Sequence, residues 1–108
     1  MSHEKDSIPA FYLEFRERFK EVGDQYENLG KAVHQQGPLD ERTRALVKLA
    51  ISGSSGLNNA FRTHVRKARQ QGLTRDEMEH VALLFLPTKG LSTTMKALKL
   101  IKAEFEND

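Results

Sequence analysis

Apolar positions along this chain recur at three- and four-residue spacing and do not alternate over any useful length, a pattern that predicts helices and no strands. Pro9 suits the first turn of a helix, where its missing N–H costs nothing. Phe11, Phe15 and Phe19 follow at four-residue intervals with Leu13 and Val22 beside them. The first helix is expected to run to about Val22, with Gly23 and Asp24 interrupting it. A second carries Tyr26, Leu29, Ala32 and Val33 to Gln36. Gly37-Pro38-Leu39-Asp40 then reads as a C′ glycine, a blocking proline and an N-cap aspartate. The third helix directs Leu46, Val47, Leu49, Ala50 and Ile51 inward, and Ser52-Gly53-Ser54-Ser55-Gly56 is expected to break it.

A fourth helix is expected from about Leu57 to Gln71, closed by Gly72, with Leu57, Ala60, Phe61, His64, Val65 and Ala68 on one face. Thr74 followed by Glu77 forms a capping box for a fifth helix, which should end near Leu86 because Pro87 cannot continue it. After Gly90 a sixth helix spaces Leu91, Met95, Leu98, Ile101 and Phe105 for one buried stripe. The expected fold is therefore all-α, one domain of about six helices over residues 1–108. Val81 to Leu86 are consecutively apolar, enough to clothe a helix on every side. Such a helix either sits at the centre of the core or lies at a subunit interface. The second arrangement is the expectation, and Phe11, Tyr12, Leu13 and Phe15 add further apolar surface to it.

Composition narrows the chemistry. The 108 residues include no cysteine, which removes disulfides, thiolate nucleophiles and thiolate metal sites together. Met1 to Ser7, with Glu4, Lys5 and Asp6, do not read as a targeting signal, and no apolar run approaches the ~20 residues of a membrane span. A cytoplasmic protein with no membrane partner is expected. His3, His34, His64 and His80 never stand three or four residues apart, so no metal site or other cofactor is expected. Net charge is +2 with both signs interleaved. Arg62, Arg66, Lys67 and Arg69 concentrate positive charge locally, and Ala68, Gly72 and Met78 fit the small residue, turn glycine and apolar anchor of a helix-turn-helix. The would-be recognition helix opens on Asp76, Glu77 and Glu79, which would repel phosphate. No nucleic-acid partner is expected.

The run Leu39-Asp40-Glu41-Arg42-Thr43-Arg44-Ala45-Leu46-Val47-Lys48-Leu49-Ala50-Ile51, continued by His64-Val65, Ala68, Gly72-Leu73-Thr74, Glu77-Met78 and His80-Val81, resembles the carboxymuconolactone decarboxylase family, whose fold is also that of the alkylhydroperoxidase D-like proteins. The resemblance is close over about Gly37 to Pro87 and looser elsewhere. It implies a helical homo-oligomer, a dimer-based trimer or hexamer. Peroxidase members of the family use a glutamate, a Cys-x-x-Cys pair and a histidine. By spacing from His64, the two cysteine positions are held here by Leu57 and Ala60, and the glutamate position by Ala45. A thiolate must attack the peroxide and a second thiol must resolve the sulfenic acid. Leu and Ala do neither, so thiol peroxidase chemistry is excluded for this chain.

The decarboxylase branch does not use the cysteine pair. The resemblance therefore implies a possible lyase acting on a small carboxylated, lactone-like molecule, with His64 as the candidate acid or base. A histidine on an apolar helix face serves as readily in a core, its nitrogens hydrogen-bonded. Lys48 and Ser52 share the helical face of Ala45 and are weaker candidates, the lysine to bind a carboxylate and the serine to donate a hydrogen bond. The alternative from another class is a non-catalytic ligand-binding or assembly module on the same fold.

Overall fold

The structure, a computed structural model, describes residues 9–106. The stretch with Glu4, Lys5 and Asp6, and His3 beside it, lies outside the described residues. All regular structure among the described residues is helical, as expected, and none of the helices is long and apolar enough to cross a membrane. The chain divides into two compact units, one ending at Leu39 and the other beginning at Asp40.

The first unit is a helical hairpin. Helix α1, Ala10–Arg18, and helix α2, Lys20–Gln35, are separated by Phe19 alone, whose φ of −122° and ψ of 64° depart from helical geometry. The break thus falls four residues before Gly23, which lies buried inside α2. Sequence reasoning took that glycine as a helix breaker. Its role is close approach: a Cβ there would stand 3.1 Å from Arg16 Nε. Arg16 crosses this bare backbone to reach Asp24 at 3.1 Å and Glu27 at 3.0 Å. The Tyr12 hydroxyl donates to the same Glu27 at 2.7 Å. These pairs lay α2 back along α1. On α2, Val22, Tyr26, Leu29 and Val33 remain exposed, at spacings that place them on one stripe.

The second unit begins where the sequence places it. Asp40 accepts from the Thr43 amide at 2.8 Å and opens α3, Glu41–Ser54. This helix passes through Ser52 and Gly53, which were expected to end it. The Ser52 hydroxyl donates to the Lys48 carbonyl at 2.8 Å, so the serine is satisfied within the helix. Gly53 is required there: an added Cβ would lie 2.8 Å from a ring carbon of Phe61 and 2.9 Å from one of Phe85. The chain turns only at Gly56, whose φ is +71°. Helix α4, Asn58–Gln70, follows and is closed by Gly72 at φ +92°.

Helix α5, Arg75–Leu83, carries the expected capping box. Glu77 accepts from the Thr74 amide at 2.8 Å, and Thr74 accepts from the Glu77 amide at 3.1 Å. Arg42, at the start of α3, also pairs with the Glu77 carboxylate. The helix stops three residues earlier than expected. Leu84 and Phe85 form a turn, and Pro87 sits in the first turn of a short helix α6, Leu86–Lys89. A proline tolerated at a helix start therefore begins a new segment here and does not merely terminate the old one. The apolar run Val81 to Leu86 accordingly does not clothe a single helix. Ala82 and Phe85 enter the core, while Leu83, Leu84 and Leu86 are exposed.

After Gly90, helix α7, Leu91–Glu106, buries Thr94, Ala97 and Ile101. Its inward face is rotated from the one expected. Leu98 and Phe105 pack at the core margin, but Leu91 and Met95 face out. Thr94 takes the inward position because its hydroxyl donates to the Gly90 carbonyl at 3.0 Å, which leaves its methyl for the core. On α3 likewise, Leu49 is buried while Val47 and Ile51 are exposed. Leu49, Phe61, Val65, Met78, Ala82 and Ile101 make the centre of this unit. Three arginines fasten the end of α7. Arg66 meets the Glu104 carboxylate at 3.2 Å, Arg69 donates to the Glu104 carbonyl at 2.7 Å, and Arg75 reaches Glu106 at 2.9 Å.

Two glycines inside helices give opposite expectations. A Cβ at Gly30 meets nothing within 4 Å, so Gly30→Ala should stabilise by about 0.5–1 kcal/mol. At Gly53 the same gain in helix propensity is outweighed by overpacking against two buried rings, which costs about 1–3 kcal/mol. Urea denaturation should show Gly53→Ala less stable than the parent, and a rise in midpoint would contradict the close packing described. The Glu77 carboxyl is held below its ordinary value, first by the Thr74 amide and then by Arg42. A carboxyl depressed in the folded state contributes stability above its unfolded pKa and loses it as pH falls through the folded one. Glu77→Gln, which can keep the amide bond, should flatten the acid side of the stability–pH curve.

Candidate functional site

The residues singled out for chemistry all lie on the hairpin of α3 and α4. Only residues 55–57 link these helices, and the Gly53–Phe61 contact seals them near the turn. Lys48 stands seven residues before Ser55 on α3 and His64 seven after Leu57 on α4. Arg44 lies one helical turn beyond Lys48, and Lys67 nearly one turn beyond His64.

His64 is half-buried on α4, between the buried Phe61 and Val65 on one side and the more open Thr63 and Lys67 on the other. It is neither sealed in the core nor fully in water. Leu57 and Ala60, at the positions of the peroxidase cysteines, are both exposed, Leu57 at 53 %. The expected shared face of α4 is therefore split: Phe61, Val65 and Ala68 hold the core, and Leu57 and Ala60 do not join them. Ala45, at the glutamate position, is half-buried against the core margin.

Lys48 is half-buried on α3. Its ammonium is held below the ordinary lysine range, chiefly by burial and then by the positive charges of Lys67 and Arg44. Burial and like charges both disfavour the protonated form. Sequence reasoning passed over Arg44 altogether and read Lys67 only as a possible phosphate contact. The four-residue step from Arg44 to Lys48 was the available signal. Ser52 is almost fully buried at 3 % exposure. Its hydroxyl lies 2.8 Å from the Lys48 carbonyl and 3.4 Å from that of Leu49. Its single proton is thus engaged inside the helix, and its part is to hold the α3 backbone beside Lys48.

Of the four basic residues concentrated on α4, Arg66 and Arg69 are drawn to Glu104, and Arg69 also lies over the Phe105 ring at 4.9 Å. Met78 and Ala82, on what would be a recognition helix, are buried. Among the described residues, no three histidine, aspartate or glutamate side chains converge in a way that could hold a metal ion.

No curated protein matches the chain. The model of the carboxymuconolactone decarboxylase family, however, matches residues 20–103, from the first residue of α2 through most of α7 and across the boundary between the two units. With its helical architecture, its α3–α4 hairpin and its histidine at His64, this cysteine-free chain belongs to the carboxymuconolactone decarboxylase family.

Proposed function

We propose that this protein is a cytoplasmic, thiol-independent lyase that removes carbon dioxide from a small carboxylated, lactone-like molecule, with His64 as the acid–base residue. The observation that carries the reading is the half-buried His64 on a hairpin that also carries the half-buried Lys48 and whose thiol positions are Leu57 and Ala60. Breaking the carbon–carboxylate bond leaves an electron pair on carbon, which an adjacent unsaturated carbonyl accepts. A proton must then be delivered to that carbon, and an imidazole near neutrality both holds and releases one. Lys48 supplies charge on the other helix of the hairpin. In its cationic form it orients the carboxylate and offsets the negative charge that builds on the carbonyl oxygen. No step calls for a thiol, a metal or an organic cofactor.

A second reading, a non-catalytic assembly or ligand-binding module, is favoured by the amount of apolar side chain in water. Leu83, Leu84 and Leu86 near the α5–α6 turn, with Leu91 and Met95 on α7, are all exposed. Each large apolar side chain left in water forgoes about 1.5–3 kcal/mol of burial. The homo-oligomer expected from the family, a trimer or hexamer built on dimers, would cover such surfaces by symmetric closure. The α2 stripe of Val22, Tyr26, Leu29 and Val33 would be covered in the same way.

His64→Gln is the decisive variant for the catalytic reading. Assayed by carbon dioxide release from a carboxylated muconolactone, it should lose at least about 100-fold in kcat while its melting temperature stays near that of the parent. A core histidine would behave oppositely, with turnover unchanged and about 1–3 kcal/mol of stability lost. For the oligomer, light scattering should give a mass several times the 12.3 kDa of one chain, and Leu84→Glu should lower it. A parent mass of a single chain at micromolar concentration rules the assembly out.

A further inference from the structure

The exposed stripe on α2 is uncharged and regular. Val22, Tyr26, Leu29 and Val33 are 56 %, 61 %, 60 % and 63 % exposed. Their spacing of four, three and four residues is the heptad rhythm by which one helix packs along another. Gln25 and Ala32 flank the stripe on one side and Gly30 on the other. None is charged and two are small, so a second helix can come close. The charged residues of α2, which are Lys20, Glu21, Asp24, Glu27 and Lys31, fall on the remaining faces by helical spacing. Helix α1 does not cover the stripe, because Arg16 packs on Gly23 and pairs with Asp24 and Glu27 on a different face. With the exposed Phe19 at its start, the stripe leaves on the order of 600 Å² of side chain open, at the upper end of what one apolar patch on a monomer presents.

We propose that a second copy of this chain covers the stripe, with the two α2 helices antiparallel about a two-fold axis between Tyr26 and Leu29. The inference rests on the assembly reading above and names one surface and geometry for it. The pattern is its own reverse. The spacing reads the same from either end, and the side chains run small, large, large, small. Antiparallel pairing sets Val22 against Val33 of the partner subunit and Tyr26 against Leu29 of the partner subunit. Every contact then occurs twice, as a closed two-fold interface requires. Parallel pairing would align the two helix dipoles, whereas the antiparallel arrangement opposes them. Two copies would bury about 1,200 Å², the lower bound for a specific interface. A lipid surface fits this helix less well. Helices that lie on membranes carry lysine and arginine on their polar face, whereas α2 sets Glu21, Asp24 and Glu27 there against Lys20 and Lys31.

The absence of cysteine from the full chain makes the test direct. Val22→Cys and Val33→Cys chains are co-expressed, purified together and treated with bismaleimidoethane, a short thiol cross-linker. The pair should give at least about tenfold more covalent dimer than either variant alone, because the antiparallel register joins unlike positions. The two positions lie about 16 Å apart along one helix, too far for the reagent to join them within a chain. Adding Leu29→Glu to both chains should abolish the cross-link, and in the parent it should at least halve the light-scattering mass. Leu29 is exposed, so the variant should keep its far-UV circular dichroism. Leu84→Glu should leave the cross-link in place. Cross-linking as strong in either single variant as in the pair would overturn the proposed register. A parent that stays a single chain defeats this inference and the assembly reading together. A multi-chain parent without the cross-link, its mass unchanged in Leu29→Glu, defeats the inference and leaves the assembly standing. Flotation of the parent with vesicles of phosphatidylcholine and phosphatidylserine, lost in Leu29→Glu and unaccompanied by the cross-link, would make the stripe a membrane surface and overturn the pairing.

Discussion

The absence of a side chain at Gly53 sets the second unit's geometry. Phe61 of α4 and Phe85 from the turn after α5 both place a ring edge where a Cβ would otherwise stand, within 2.9 Å of its position. Three segments meet on one bare patch of α3 backbone. One turn back along that helix, Leu49 is buried at 1 % exposure, and the same packing continues through Val65 and Met78 into the core. A larger residue at this point would part α3 from α4. The stability of the unit thus depends on one missing methyl group.

That dependence explains which parts of the structure were legible in the sequence. Caps and stops that act through local hydrogen bonds read directly: Asp40 on the Thr43 amide, Thr74 with Glu77, and Gly72 and Gly90 with positive φ. Glycines and serines that act through tertiary contact did not. Gly23 and Gly53 look like breakers by composition, yet both lie within helices because Arg16 in one case and two phenylalanine rings in the other must come close. The inward face of α7 misled for a related reason. Leu91 and Met95 outrank Thr94 in hydrophobicity, but Thr94 meets its own hydrogen-bonding need through the Gly90 carbonyl and so enters the core at no polar cost. At the candidate site the four-residue step from Arg44 to Lys48 was legible, whereas the influence of Lys67 on Lys48 was not, because it arises only when two helices lie side by side.

The chemistry of the hairpin follows from what replaced the thiols. Leu57 and Ala60 offer neither nucleophile nor proton, and Ala45 offers no carboxylate. With no acid and no thiol at these three positions, the charges that bear on the half-buried Lys48 are those of Lys67 and Arg44, and the histidine of the family pattern stands at His64 without the thiols that accompany it in the peroxidase members.

The fastening of α7 has a consequence for how the chain can be shortened. The family match ends at residue 103, an inviting place to trim. Cutting there removes Glu104, Glu106 and Asp108 together, and with them the carboxylates that hold Arg66 and Arg69 and one of the two that hold Arg75. The Phe105 ring beneath Arg69 goes as well. The trimmed chain would gain three units of net positive charge and lose these ion pairs. Added positive charge favours nucleic acid without regard to sequence, so a fragment cut at residue 103 would be the more adhesive of the two.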